Sequence, residues 1–186
     1  MRVGVKTGLI AAACWITFRL SAHYLGFFVD TPVPEVAVLL NIFGLLSAIS
    51  IGLYLEKRKQ TEESNALFDM KNAMSAGVPY VVLVSIFIYF FYHKINPECY
   101  QHQVAENDIA IERMVNDPVQ LEKFKKEQQD AEVMTKEQIE SKLKKSNRQG
   151  ASAGFTSTLT VLAMIILATL YSLLITIIMR KVVFRN

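Results

Sequence analysis

From Val36 to Leu55 the chain runs 20 residues without one charged side chain, and it does so again from Ala73 to Tyr92 and from Phe155 to Met179. A run of that length, at about 1.5 Å per helical residue, matches the ~30 Å of hydrocarbon in a bilayer. Inside hydrocarbon each backbone N–H and C=O must find a partner within its own segment, so such runs are expected to be helices. A further run, Thr7 to Val29, is apolar except for Arg19 and His23. The expected fold class is therefore an all-α membrane protein with four transmembrane helices. Its first three spans fall at about residues 7–29, 36–55 and 73–93, and an extra-cytoplasmic helical loop joins the third to the fourth.

Charge is segregated accordingly. Of 20 basic and 17 acidic residues, 21 lie between Lys94 and Gly154, ten basic against eleven acidic. Residues 1–93 are thus expected to hold the first three helices, 94–154 an amphipathic helical loop, and 155–186 the fourth helix with a basic tail. No basic stripe interleaved with aromatics is present, so nucleic acid is not an expected partner. Cys14 and Cys99 are too few for a disulfide framework.

The basic start Met1–Lys6 and the run Ala11-Ala12-Ala13-Cys14 faintly resemble a cleaved leader, but the apolar run continues well past the cysteine. A retained helix is expected. The sequence Asp30-Thr31-Pro32-Val33-Pro34-Glu35 reads as a tight turn, making the first two helices antiparallel neighbours. Ala66 to Lys71 reads as a short interfacial elbow ahead of the third span, with Pro79 near that span's start. Lys and Arg set orientation in short segments. Arg2, Lys6, Lys57, Arg58, Lys59, Lys71, Arg180, Lys181 and Arg185 occupy the three segments on one side, and the first turn on the other side holds none. Both termini are expected on the cytoplasmic side of a bacterial inner membrane, with the loop outside.

Three helix starts mark the loop: Asn96-Pro97, Asp117-Pro118 and Thr135. Asp117 with Gln120, and Thr135 with Gln138, have capping-box spacing. Each helix carries only a thin apolar stripe, with Leu121 and Phe124 on the second and Ile139 and Leu143 on the third. Stripes so thin are not expected to make an independent core. These four residues are expected instead to contact the helix ends, the membrane surface or another protein.

Arg19 is the sharpest feature in the membrane part. An arginine at mid-bilayer costs roughly 2.5–3.5 kcal/mol on insertion scales, and no acid lies within the four runs to neutralise it. Trp15, Arg19 and His23 follow at i, i+4 and i+8 and share one helix face. They are candidates for binding a lipid phosphate or an acidic partner. The plain alternative is that Arg19 snorkels or bonds helix carbonyls or Asn41. Gly4, Gly8 and Ala12, and likewise Gly44, Ala48 and Gly52, repeat at the small-xxx-small spacing that lets helices approach closely. Thr169, Ser172 and Thr176 form a polar stripe whose hydroxyls are expected to bond their own backbone.

Glu98, His102 and Glu106, with Cys99 near them, have helical metal-ligand spacing. Charged helix faces produce that spacing by chance, no second ligand helix is marked, and no metal or cofactor is expected. Phosphate-binding loops, hydrolase triads and zinc-protease motifs are missing from the sequence. No catalytic residue is assigned.

The elbow Ala66-Leu67-Phe68 running to Ala76-Gly77, the aromatic end of the third span with Asn96-Pro97, the Thr135-Lys136-Glu137-Gln138-Ile139-Glu140 helix start and the closing Arg180-Lys181 form a layout. It resembles an uncharacterised family of small four-span inner-membrane proteins of Bacteroidetes-type bacteria, the domain of unknown function numbered four-one-nine-nine. The resemblance supplies no catalytic residues. It implies a role beside a polyprenyl-phosphate-type glycosyltransferase. The function expected is a non-catalytic accessory subunit that binds and positions such a membrane protein or another envelope enzyme, or pairs as a homo-oligomer. The alternative is a carrier or enzyme that holds a membrane lipid phosphate with Arg19 and His23, and a small transporter comes after both.

Overall fold

The computed structural model describes residues 2–27, 35–60, 65–131 and 133–183. The turn read at Asp30–Pro34, and Arg185, lie outside them. Among the described residues seven α-helices follow one another: α1 Val3–Tyr24, α2 Glu35–Lys57, α3 Ala66–Phe90, α4 Glu98–Asn116, α5 Pro118–Glu127, α6 Lys136–Gly150 and α7 Ala153–Ile178. There is no strand among the described residues. Four helices are long and apolar enough to cross a membrane: α1, α2, α3 with its extension to Ile95, and α7 with its extension to Val183.

These four form one bundle, in which α3 packs against each of the other three. Its outside is as oily as its inside. Leu39, Phe43, Val82, Ile86, Leu162 and Leu170 are exposed, while Leu45, Ala48, Ile49, Leu53 and Val84 are fully buried. In water such a surface would drive association. In lipid it is the surface the bilayer requires, and the chain is a multi-pass membrane protein. The end of the bundle that carries both chain termini is called here the terminal face, and the other end the hairpin face.

Glycines set the tightness of the terminal half. A Cβ added at Gly8 would run into the backbone of Ala76, and one at Gly4 into Ser75, so α1 lies directly on α3. A Cβ at Gly52 would come within 2.7 Å of the Ala76 methyl. Ala12 and Ala48 are fully buried, and Gly44 abuts the Tyr80 hydroxyl. The small-residue repeats therefore meet one another and α3 inside this chain.

Two boundaries differ from the sequence reading. The elbow is no separate element: Asn65 caps α3 by accepting from the Phe68 N–H (2.8 Å), and the helix runs unbroken through Asp69 and Lys71. Pro79 consequently sits in the interior of α3, where it leaves the Ser75 carbonyl without its usual donor. The helix continues across Asp69 because that carboxylate is completely buried and neutralised from other helices. Lys57 of α2 lies 3.0 Å away and Arg180 beyond α7 lies 2.9 Å away.

The loop is a helical hairpin that extends α3 and α7. Val115, Ala131 and Ile139 are buried in a small core of its own, with Leu121, Phe124, Leu143, Ile111 and Met114 packed around them. The expected outward contact by Leu121, Phe124, Ile139 and Leu143 is thereby corrected: stripes too thin singly converge from three helices. Polar pairs tie α4 to α6 as well. Lys144 bridges Glu112 (2.6 Å) and Glu140 (2.7 Å), and Asn147 donates to Asp108 (2.9 Å) and to the Val104 carbonyl (3.1 Å). The bonds from Glu112 and then Glu140 hold the Lys144 ammonium pKa above its ordinary value.

Thr135 and Gln138 form a complete capping box. Asp117 caps α5 through the Val119 and Gln120 N–H groups, and the first of these bonds leads in holding its carboxyl pKa below the usual range. The Gln120 side chain bonds the Asp117 carboxylate rather than its backbone, so the reciprocal half of a box is not formed there. At α4 the N-cap position falls on Pro97 and carries no side-chain cap, in place of the start read at Asn96.

Candidate functional site

Toward the hairpin face the four spans diverge around a cavity of about 390 Å³. Trp15 and Arg19 of α1, Ala37, Val38, Asn41 and Ile42 of α2, Phe87, Ile88, Phe91 and Tyr92 at the end of α3, and Thr156 to Leu167 of α7 line it. No carboxylate is among the lining residues.

Helix α1 delivers the cation. Arg19 lies 16 residues into a 22-residue helix, roughly 24 Å from its start and about 8 Å from its end. That places it in the hairpin-side quarter of α1. Its side chain is turned into the bundle and is only 2% exposed, so it does not snorkel. Nη2 donates to the Tyr92 hydroxyl at 3.4 Å, and the guanidinium carbon stands 4.7 Å from the centre of the Phe91 ring. Nη1 is buried and has no hydrogen-bond partner.

The other two residues of the α1 face join it unequally. Trp15 spends its indole N–H on the Ala37 carbonyl (3.3 Å) and packs edge-on against Phe87. His23 stands edge-on to the same Phe91 ring that faces Arg19 (centroids 5.2 Å), and its Nδ1 is also buried without a partner. One ring is thus shared by two nitrogen side chains, each with an unspent buried nitrogen.

Phe91 and Tyr92 are neighbours in sequence, yet both point inward, with 1% and 7% exposure. The reason is local. α3 widens into a π-helical turn over Phe91–Ile95, closed by the Asn96 N–H on the Phe91 carbonyl at 2.8 Å. Such turns re-aim side chains and recur at functional sites. Above them the hairpin forms a roof. Tyr100 of α4 packs on Tyr92 (4.9 Å between ring centres) and donates to Thr156 Oγ1 at 2.6 Å. Burial raises the Tyr100 pKa from 10.0 to about 12, so this hydroxyl keeps its proton at neutral pH. Below the cavity the Tyr80 hydroxyl donates to Asn41 Oδ1 (2.8 Å), while Asn41 Nδ2 reaches Met164 Sδ at 3.9 Å. Asn41 is therefore engaged by Tyr80 and Met164 and not by Arg19.

Of the hydroxyl stripe on α7, Thr169 bonds the Ile165 carbonyl (2.9 Å) as expected. Ser172 and Thr176 differ: both hydroxyls are buried without partners. The set Glu98, His102 and Glu106 is an exposed helix face on which His102 and Glu106 pair at 3.6 Å, with Cys99 buried behind it. No cluster of three or more His, Cys, Asp or Glu that could hold a metal occurs among the described residues.

Of the three residues singled out in the sequence, Trp15 and Arg19 line the cavity and His23 does not; Phe91 and Tyr92 in its wall, and Asp69 at the terminal face, were passed over. For Asp69 a signal existed, since Lys57 and Arg180 end neighbouring spans at the same level.

What the fold and site define is a four-helix membrane protein with an extramembranous hairpin and a buried arginine facing an apolar cavity. The chain matches over residues 6–181 the family described as Protein of unknown function (DUF4199), and it belongs to that family. No curated protein and no solved structure matches it.

Proposed function

We propose that this protein binds an anionic amphiphile from the membrane, with the anionic group on Arg19 and the apolar part in the inter-helix cavity. The observation that carries this reading is the unspent Nη1 of a 98%-buried arginine beside a cavity with no acid in its wall. Ligand sites are apolar hollows of this size with a few converging polar groups. A buried cation needs an anion close by, or it is costly. His23 shares the Phe91 ring with Arg19 but is not among the residues that line the cavity. Val38 and Leu159 line the cavity and are themselves exposed, so the gap between α2 and α7 is its mouth toward lipid.

The expected role in positioning a partner enzyme drew on the family resemblance, the missing catalytic motifs, the close-packing faces and a loop too thin to stand alone; the loop anchors pack on one another, so the cavity is the stronger support. The membrane is a bacterial inner membrane and the terminal face is cytoplasmic in this reading. Arg2, Lys6, Lys57, Arg58, Lys71, Arg180 and Lys181 gather on that face, which supports the orientation.

The test is native mass spectrometry and lipid extraction of the full chain purified in a mild neutral detergent. Wild type should carry an acidic amphiphile at up to one per chain, and Arg19→Met should lose it. A wild-type protein that carries no acidic amphiphile, or an Arg19→Met protein that carries it equally, overturns the reading. A stoichiometric protein partner in place of the lipid would favour the accessory role.

A further inference from the structure

Resting on the amphiphile reading, we infer that the ligand is a single-chain amphiphile with one compact anionic group, a carboxylate or a phosphate monoester, and not a diacyl lipid or a lipid with a sugar head. Three features of the site lead there.

The first is the supply of polar partners. The Trp15 N–H is used by Ala37 and the Asn41 amide by Tyr80 and Met164, while the Tyr92 and Thr156 hydroxyl oxygens accept from Arg19 and Tyr100. What is left in the wall to donate to a head group is Arg19 Nη1 with the Thr156 and Thr160 hydroxyls. A carboxylate or phosphate is satisfied by two or three donors. A sugar or glycerol head brings several further hydroxyls or esters, and a buried polar group left without a partner is costly.

The second is space. An apolar cavity of about 150 Å³ holds a benzene. By proportion, about 390 Å³ accepts on the order of 15 heavy atoms, one compact head and a stretch of one chain.

The third is depth and the roof. Arg19 lies about 8 Å inside the hairpin-side end of α1. The Tyr92, Tyr100 and Thr156 contacts close the cavity above it. A head group therefore reaches Arg19 sideways between α2 and α7, through a gap flanked by Val38 and Leu159, and a small head crosses that apolar gap at the lowest cost.

The chain provides its own reporter, because its one tryptophan, Trp15, lines the cavity. Full-length protein in phosphatidylcholine nanodiscs is titrated with oleate, dodecyl phosphate, oleyl alcohol and dioleoyl phosphatidylglycerol while Trp15 emission is followed. Oleate, dodecyl phosphate or both should give a saturable change, and whichever binds more tightly tells carboxylate from phosphate. Oleyl alcohol and phosphatidylglycerol should bind at least about tenfold more weakly. Arg19→Met should weaken the anionic probes by about 30-fold or more and leave oleyl alcohol unaffected. Val38→Phe, a lipid-facing change at the mouth, should weaken all single-chain probes and serves as the second variant if Arg19→Met does not fold.

Phosphatidylglycerol binding as tightly as the single-chain probes would overturn the compact-head inference and leave the amphiphile reading standing. Oleyl alcohol equal to oleate would overturn both. So would silence of every probe.

Discussion

Arg19→Met gives the most telling prediction, because its effect should depend on what occupies the cavity. Methionine keeps an unbranched, flexible side chain and deletes the guanidinium with its charge. Without ligand, the substitution removes an inserted arginine that costs roughly 2.5–3.5 kcal/mol. It also removes a cation–π contact worth about 2 kcal/mol when desolvated and a long hydrogen bond worth about 1 kcal/mol. Gain and loss cancel to within about 1 kcal/mol, so the ligand-free melting temperature should move by no more than about 2–4 °C. With ligand at 100 times its dissociation constant, wild type should gain about 2.7 kcal/mol. If binding is weakened about 30-fold, the variant at the same concentration gains only about 0.9 kcal/mol. The assay is thermal unfolding of the delipidated protein in neutral detergent, with and without the tightest single-chain probe. A ligand-free loss above about 3 kcal/mol together with a ligand shift equal to that of wild type would refute the reasoning, because Arg19 would then be a structural residue.

Three further changes probe the frame around the site. Asp69→Asn strands the cations of Lys57 and Arg180 at the terminal face and should cost about 3–5 kcal/mol by thermal unfolding, whereas Lys57→Met should cost less because Arg180 still answers the carboxylate. Gly8→Val pushes α1 off the backbone of Ala76 and should destabilise by at least about 1–3 kcal/mol, seen as aggregation on size-exclusion chromatography, while Gly150→Ala, with open space around it, should leave the elution unchanged. The Tyr100 hydroxyl should give the hairpin roof a pH dependence of definite sign. Its folded pKa is about 12 against an ordinary 10.0, so the unfolded chain releases its proton first. Roof stability is then flat below pH 10 and falls as pH rises from 10 to about 12, read as a fall in the thermal unfolding temperature, and Tyr100→Phe should reduce that dependence.

The parts of the fold that rest on local hydropathy were legible, and the parts that rest on pairing between distant residues were not. Four spans follow from uncharged runs, while the cost of charge in lipid marked Arg19 but left its direction open between the bundle and the interface. The start of α3 was misplaced because Asp69 and Lys71 interrupt an apolar run. What carries the helix through is Lys57, twelve positions earlier, and Arg180, over a hundred positions later, which no window along the chain can weigh. The hairpin core was missed for a related reason: anchors were counted helix by helix, while burial of Val115, Ala131 and Ile139 comes from pooling them. The cavity wall needed the π-helical turn at Phe91–Ile95, and its residues show no local pattern that separates it from ordinary helix.

These differences divide the bundle into two halves with opposite design. In the terminal half, Gly4, Gly8 and Gly52 bring backbones together around Ala76, and one buried carboxylate ties α2, α3 and the end of α7. That half is closely packed where α1, α2 and α3 meet, and its buried carboxylate is answered by two cations. In the hairpin half the small residues give way to Trp15, Phe87, Phe91 and Tyr92, the helices stand apart, and a cation is held without an acid. A protein selected only for packing would lose little by replacing Arg19 with an apolar residue, since a buried charge is seldom a net source of stability. Keeping the arginine unneutralised beside space, at the open end of an otherwise tight bundle, is the arrangement expected when the neutralising anion arrives from the membrane.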